Sequence, residues 1–324
     1  GRYEGSDQVV STGSTLLDLA ISGGRFRHGG LPGGIMVEIF GPASSGKTVL
    51  LCEIAGAIKR QGGQVMFRDP EARLNKRFAK LFDLDIDKID YDTPTTIPEV
   101  FEPVRKWKPE PHDKVHGVFA DSLAALTTEL ELEDKDQYGM RRAKEFSEQC
   151  RLTCRAIAKT GLLLVCSNQI RQNLDAGYGP RYKSPGGEAI GFYSSLRLRC
   201  GSPKKIRRKR QIAGKEQTRI AGVDIEVEVF KSSVWEPYRV APVCILYDYG
   251  IDDIRTNLQF IKSNTTSSPV YMVGGIKLGT SIEGAIRAVE EDEMVNALRW
   301  ETIRLWRLIE KEFKTPRHPK KRLQ

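Results

Sequence analysis

The stretch GPASSGKT, Gly41–Thr48, lies between VEIF (Val37–Phe40) and VLLCEIAGAIKR (Val49–Arg60). The first flank reads as a strand and the second as a helix. A Gly-rich turn between strand and helix aims backbone N–H groups at phosphate oxygens, and the helix N-terminus adds a favourable field. The pattern therefore implies a nucleoside triphosphate site. Gly41, Pro42, Ala43, Ser44, Ser45 and Gly46 would cradle the phosphates, with Val49 just beyond. Lys47 would reach the β- and γ-phosphates, and Thr48 would ligate Mg²⁺.

Outward from this loop, strands and helices alternate. STGSTLLDLAISGG and GGLPGG precede it, giving a short helix around Leu16–Ile21 with a Ser or Thr cap, then a turn. Downstream, strands are expected at Gln64–Arg68, Val115–Ala120 and Leu162–Ser167, and helices at Asn75–Phe82, Pro98–Trp107 and Met140–Lys159. Such βαβ order predicts an α/β core whose mostly parallel sheet is flanked by helices. Two polar or Gly-rich segments, 129–139 and 170–187, follow the C-terminal ends of expected strands, where open α/β sheets bind ligands. Further strands are expected at Ser195–Cys200, Asp224–Lys231 and Val243–Tyr247. The organisation reads as a segment 1–34 leading into the core, a core at 35–251, and a small C-terminal domain at 252–324. Helices are expected there near Asp252–Ile261, Ser281–Glu290 and Asp292–Phe313.

The chain has 324 residues and a net charge of +9. Its 40% apolar and 29% charged composition fits a globular protein, with no apolar run of membrane-span length and no secretory leader. The initial Gly points to a trimmed or tagged product. None of the six cysteines forms a CxxC pair, so they read as reduced core thiols of a cytosolic protein rather than zinc ligands. Lys204, Lys205, Arg207, Arg208, Lys209 and Arg210 crowd one connection, Ser202–Gly222, and further cations crowd the C-terminal tail. Such clusters are either solvated surface or contacts to a polyanion such as DNA.

Three more positions carry chemistry. Asp121 ends a strand and would hold Mg²⁺ through water while that strand fixes its place. Glu71, just past Gln64–Arg68, could orient and deprotonate water for in-line attack, with Asp69 as its rival. Gln169, next to Asn168 at a strand end, could bond the γ-phosphate or the attacking water without adding a repelling charge. It could also pass loss of that phosphate to the segment that follows.

Taken together, STGSTLLDLA, GGLPGG, VEIFGPASSGKT, DPEARLNKRFAKLFDLDID, ADSLAALTTELE, SNQIR, GGEAIGFYSSLRL and ILYDYGID resemble the RecA recombinases, the bacterial strand-exchange ATPases. The match runs from about Ser11 through Ile251. The resemblance implies a RecA-like ATPase core with a small C-terminal α/β domain, and ATP with Mg²⁺ as its cofactors. By motif, Glu71 resembles the catalytic glutamate, Phe78 the aromatic packing the adenine, and Asn75 a nearby polar contact. Asp121 matches the Mg²⁺ aspartate, and Gln169 the glutamine coupling nucleotide to DNA. Segments 129–139 and 170–187 resemble the two DNA-binding loops, with Arg171, Lys144 and Arg151 in positions of DNA contact. Phe192 resembles the aromatic that inserts into a neighbouring subunit. The family assembles as a homo-oligomeric filament on single-stranded DNA, pairs it with homologous duplex, and works at the nucleoid in the cytoplasm.

The chain also departs from that family. Where two lysines separated by one residue reach across the subunit interface, Phe230–Lys231–Ser232–Ser233 retains only Lys231. Serine cannot neutralise phosphate charge as a mobile ammonium does. Only ten residues precede Ser11, which favours weaker filaments or rings, and a basic tail stands where the family has an acidic one. Two further readings follow: a ring-forming DNA helicase or translocase of the same superfold, and a non-catalytic DNA-binding mediator that uses ATP as a switch.

Overall fold

The computed structural model describes residues 8–128, 138–169, 171–172, 182–183, 189–265 and 269–317. Every position of the strand feeding the phosphate loop, β3 (Met36–Gly41), is buried. It sits in the middle of a ten-stranded sheet. Parallel to it on one side run β7 (Leu163–Gln169), β6 (Gly117–Ala120), β4 (Val65–Arg68) and the edge strand β5 (Asp90–Asp92). On the other side β10 (Leu196–Cys200) is also parallel. The sheet then turns antiparallel through β12 (Lys215–Ser232), β13 (Val240–Leu246) and β14 (Gly250–Ile251), so it is mixed. β11 (Lys204–Ile212) pairs with β12 alone. Small antiparallel pairs join β1 (Val9–Val10) to β2 (Leu31–Pro32), and β8 (Arg171–Gln172) to β9 (Tyr182–Lys183).

Helices cover both faces, as a sheet with apolar central strands requires. On one face Phe101 and Val104 of α4 (Ile97–Lys106) and Phe146, Cys150 and Ile157 of α5 (Tyr138–Thr160) bury Met36, Val118, Leu164 and Cys166. α2 (Lys47–Arg60) is buried along most of its length, through Leu50, Leu51, Ile54 and Ile58. α1 (Thr15–Ser22) starts at Ser14, whose Oγ accepts from Leu17 N. α3 (Lys76–Lys80) starts at Asn75, and the short α6 (Ala189–Tyr193) follows β9.

The chain divides into two compact units, residues 1–253 and 254–324. The second holds most of α7 (Asp253–Thr265), the hairpin β15 (Tyr271–Val273) with β16 (Ile276–Gly279), α8 (Ile282–Glu291) and α9 (Val295–Glu312). Ile254, Leu258, Ile261, Val273, Ala285, Val289 and Leu298 form its core.

Two expectations need correction. The basic cluster is not in a connection: Lys204–Arg210 lies in β11, paired with β12 through a two-residue turn at Ala213 and Gly214. Both turn residues have positive φ (51° and 76°), the geometry that matches strand twist in a tight hairpin. Six cations in seven residues disguised a strand, because exposed strands carry no apolar alternation. The segment 129–139 is also shorter than expected, since α5 already begins at Tyr138. Residues 129–137 lie outside the described residues, as do 170, 173–181 and 184–188 of the second segment.

Candidate nucleotide and DNA site

The loop after β3 turns on residues in the left-handed region: Ser44 has φ 59° and Gly46 φ 77°. The positive φ favours glycine at position 46; a Cβ there would also meet Ile245 Cδ1 at 2.2 Å, though that is the movable end of a side chain. Helix α2 begins at the next residue, Lys47, which directs its first unpaired N–H groups back at the loop. Lys47 is buried; its Nζ donates to Pro42 O at 2.6 Å and Gly41 O at 3.1 Å. Burial lowers its pKa, while nearby acidic groups, Cys200 first and then Asp121 and Glu71, oppose the shift.

Sheet register supplies the rest. Ala120 pairs with Cys166, which sets Asp121 beside Ser167. The Asp121 carboxylate accepts from Thr48 Oγ1 at 2.6 Å and also from Ser167 Oγ. Burial pushes its carboxyl above the ordinary range, and those two hydroxyl bonds oppose the shift. A hydroxyl and a buried, poorly solvated carboxylate held together are donors that suit a small divalent cation retaining most of its water. Glu71 accepts from Ser122 Oγ at 3.0 Å and pairs with Arg73 at 2.6 Å. Its rival, Asp69, also lines the cavity that these groups surround, but its Oδ2 accepts from Leu74 N at 2.8 Å and from the Tyr91 hydroxyl at 2.9 Å. Donating to that carboxylate and partial burial push the Tyr91 hydroxyl up to about 12, burial being the larger cause. Gly41 pairs with Gln169 across β3 and β7.

These groups surround one cavity of about 470 Å³, lined by the loop, Glu71, Asp121, Gln169 and the exposed Tyr247. Tyr247, Ser122 and Ser167 were not singled out in the sequence. The hydroxyls gave no signal because their place depends on strand register. Tyr247 lay in the string ILYDYGID, where its exposure could not be read. Asn75 and Phe78 do not line this cavity. Asn75 Oδ1 accepts from Phe78 N at 2.8 Å as the cap of α3, and Phe78 packs edge-on against Phe82 with centroids 5.1 Å apart.

Behind the cavity, a fully buried Glu38 on β3 accepts from Asn168 Nδ2 at 3.0 Å and from Arg197 Nε at 2.6 Å. The Arg197 guanidinium also stacks 4.5 Å from the Phe40 ring.

The expected DNA and interface residues are spread more widely. Lys144 and Arg151 are exposed on α5, and Arg171 falls on β8 with its side chain outside the described residues. Phe192 on α6 is 74% exposed, an unusual position for an aromatic. Lys231 does not project freely. Its Nζ donates to the Gly191 and Phe192 carbonyls at 2.9 and 2.8 Å, and burial followed by the Arg197 charge lowers its pKa. Ser233 Oγ donates to Ser195 O at 3.2 Å.

No helix among the described residues is long and apolar enough to cross a membrane. Residues 3–252 match the profile described as the RecA N-terminal domain. It is 30% identical over 303 residues to Protein RecA of Acholeplasma laidlawii, covering 90% of this chain and 86% of the relative. Protein RecA of Lactobacillus delbrueckii subsp. bulgaricus is 31% identical over 288 residues, covering 87% and 82%. In structure, the RadB recombinase superposes with a TM-score of 0.51 at 17% identity, over 75% of this chain and 98% of that one, which speaks to the fold. With a phosphate loop at the centre of such a sheet and a family match across its whole core, the chain belongs to the RecA family and is, in that family's general sense, an ATP-hydrolysing, DNA-binding recombinase.

Proposed function

We propose that this protein binds ATP in the cavity between the phosphate loop, Glu71, Asp121 and Gln169, and uses its occupancy to grip single-stranded DNA. The convergence of Thr48 and Ser167 on a buried Asp121 carries the reading. Bound there, Mg²⁺ would be held by Thr48 and, through water, by Asp121, and would neutralise charge developing on the phosphates. Lys47 would exchange the Pro42 and Gly41 carbonyls for phosphate oxygens within the same loop. Glu71 would accept the proton of the attacking water, and Gln169 would orient that water.

Occupancy is read by the segment that begins one residue after Gln169. Arg171 there, with Lys144 and Arg151 on α5, supplies cations for phosphates, which grip DNA without specifying sequence. Phe192 would insert into the next copy of the chain, and Lys231 would reach toward that copy's nucleotide, giving a helical filament that pairs a bound strand with homologous duplex. Activity of this kind belongs at the nucleoid. A closed ring is the competing assembly.

The test is single-strand affinity with a slowly hydrolysed ATP analogue, with ADP and without nucleotide, for the native chain and Lys47→Ala. Tighter binding with the analogue in the native chain alone supports the reading, as do joint molecules from homologous strand and duplex. Equal affinity in all three states overturns the coupling. Unwinding without pairing, on closed rings seen by electron microscopy, assigns the chain to the motors instead.

A further inference from the structure

The cavity beside the phosphate loop holds a second cation besides Lys47. Among the described residues that line it, three are carboxylates, Asp69, Glu71 and Asp121, and two are cations, Lys47 and Arg73. Lys47 is buried and bound to two carbonyls of its own loop. Arg73 is held differently: its side chain is 77% exposed, and its Nη1 meets Glu71 Oε2 at 2.6 Å. An ion pair with so solvated a member adds little to stability. The backbone nevertheless keeps the two charges together. Residues 69–74 wind around Asp69: Ala72 N donates to its carbonyl at 3.0 Å, and Leu74 N to its Oδ2 at 2.8 Å. Ala72, between Glu71 and Arg73, has φ 51°, the left-handed conformation that reverses the chain. The root of Arg73 is therefore fixed at the cavity wall while its long stem stays in water.

This arrangement conflicts with the role assigned to Glu71. Both of its oxygens are engaged, Oε1 by the Ser122 hydroxyl at 3.0 Å and Oε2 by Arg73. A carboxylate that takes a proton from water needs one of them released. Ser122 is buried, so the solvated guanidinium is the partner with room to move. Its destination follows from position. Water aligned for in-line attack lies between Glu71 and the γ-phosphate, so a cation leaving Glu71 meets phosphate oxygens first. The neighbouring copy leaves that place short of charge. Ser233 carries none, and Lys231 is held by two carbonyls of α6.

We propose that Arg73 is a catalytic cation supplied from within the same copy of the chain: when ATP binds, its guanidinium leaves Glu71 for the γ-phosphate. The exchange neutralises the transferring group and frees the carboxylate that takes the proton of water. The proposal rests on the ATP-binding reading above and adds the residue that responds to the third phosphate. A guanidinium suits either partner, because its fork matches carboxylate and phosphate geometry alike. Arg73 transfers no proton. As the water oxygen bonds to the γ-phosphorus and the bond to the β-phosphate oxygen breaks, the water's proton goes to Glu71 and the bond's electron pair leaves with ADP. Arg73 only donates hydrogen bonds to the oxygens that carry the developing charge.

The test measures affinity for a slowly hydrolysed ATP analogue and for ADP, each with Mg²⁺, by titration calorimetry. It uses the full-length native chain, Arg73→Gln, Glu71→Gln and the double variant, and follows turnover by phosphate release at saturating ATP and single-stranded DNA. Arg73→Gln is expected to weaken the analogue about tenfold to a hundredfold, as loss of a hydrogen bond to a charged group does, and to leave ADP within about threefold. Its turnover should fall at least about a hundredfold. In the Glu71→Gln background the same substitution should still weaken the analogue about tenfold or more, because the phosphate contact does not need Glu71. An effect that vanishes in that background means Arg73 acts only through Glu71; equal losses on analogue and ADP mean it shapes the site as a whole; unchanged turnover means a surface ion pair. Each of these overturns the proposal. Without nucleotide, Arg73→Gln should melt within about 4 °C of the native chain, and a larger drop contradicts the loosely held pair on which the proposal stands. A native chain that binds neither nucleotide overturns the ATP-binding reading along with this one. A native chain that binds both, with Arg73→Gln indistinguishable from it, overturns this one alone.

Discussion

Replacing Arg197 with methionine should cost far more than a surface ion pair would, because of what it leaves behind. Glu38 is fully buried at the centre of the sheet; Arg197 is its ion-pair partner, and Lys231 is a second cation close enough to feel its charge. In Arg197→Met the stem still packs between β3 and β12, but the carboxylate keeps only the Asn168 amide as a described donor. Removing one member of a buried pair costs about 3–5 kcal/mol, since the other charge stays desolvated and uncompensated. The lost stacking on Phe40 adds about 0.5–1 kcal/mol. For a core of this size each kcal/mol moves the melting temperature by roughly 2–4 °C, so a drop of about 7–24 °C is expected.

The companion variant decides the cause. Adding Glu38→Gln removes the orphaned charge and retains an oxygen for Asn168, so the double variant should be more stable than Arg197→Met by about 2 kcal/mol or more. Urea denaturation followed by far-UV circular dichroism measures both. A cost below about 1 kcal/mol for Arg197→Met, or a double variant no more stable than the single, refutes the argument that an uncompensated carboxylate dominates.

Asp121→Asn should abolish function yet spare the fold. Burial raises the Asp121 carboxyl, so the folded state holds its proton more tightly than the unfolded chain. Stability therefore falls as pH rises from the ordinary carboxylate value through the raised one. Without nucleotide, thermal melts should show the variant at least as stable as the native chain at pH 7, with that advantage shrinking at pH 4. ATP hydrolysis should drop at least roughly a hundredfold; a variant clearly less stable at pH 7 contradicts the burial argument. Glu71→Gln should lower hydrolysis by roughly 10²–10⁴ while nucleotide still binds. Asp69→Ala should instead lower stability by about 2 kcal/mol, because Leu74 N and the Tyr91 hydroxyl lose their acceptor. If turnover at saturating ATP falls equally in both, the assignment of the base is wrong.

The fold class was legible because its signals are local. A buried strand, a Gly-rich turn and a helix occupy consecutive residues around Gly41–Thr48, and strands such as Leu163–Gln169 are apolar enough to read directly. What depends on register was not legible. Ser167 meets Asp121 only because Ala120 pairs with Cys166, and Asp69 turns inward only because Tyr91 lies on the adjacent strand β5. β5 itself, DYD, has no apolar pattern, as a three-residue edge strand needs none. The same polarity hid β11. Asn75 shows a different limit: one residue type suits both a helix cap and a base contact, and only geometry reveals that its Oδ1 is engaged by Phe78 N.

Lys231 links two parts of the proposed machine that sequence reading treated separately. Strand β7 ends at Gln169, whose register partner is Gly41 of the phosphate loop. Downstream of residues 170–188 lies α6, whose Gly191 and Phe192 carbonyls are bound by Lys231. Lys231 in turn pairs in register with Arg197, the cation that neutralises Glu38 on the strand feeding the loop. β7 and α6, which flank residues 170–188, are thus both linked to β3, one by direct strand pairing and the other through the Lys231 hydrogen bonds and the β12–β10–β3 ladder. In the proposed reading, a change in the phosphate loop would reach Gln169 through one residue pair, whereas α6 would answer to a lysine that subunit contact would have to draw away from it. An ammonium with two carbonyl partners and a neighbouring guanidinium is already partly desolvated and repelled. If, as proposed, Lys231 reaches a neighbour's phosphates, it must give up both carbonyls of α6, and the helix that carries Phe192 then loses that tie.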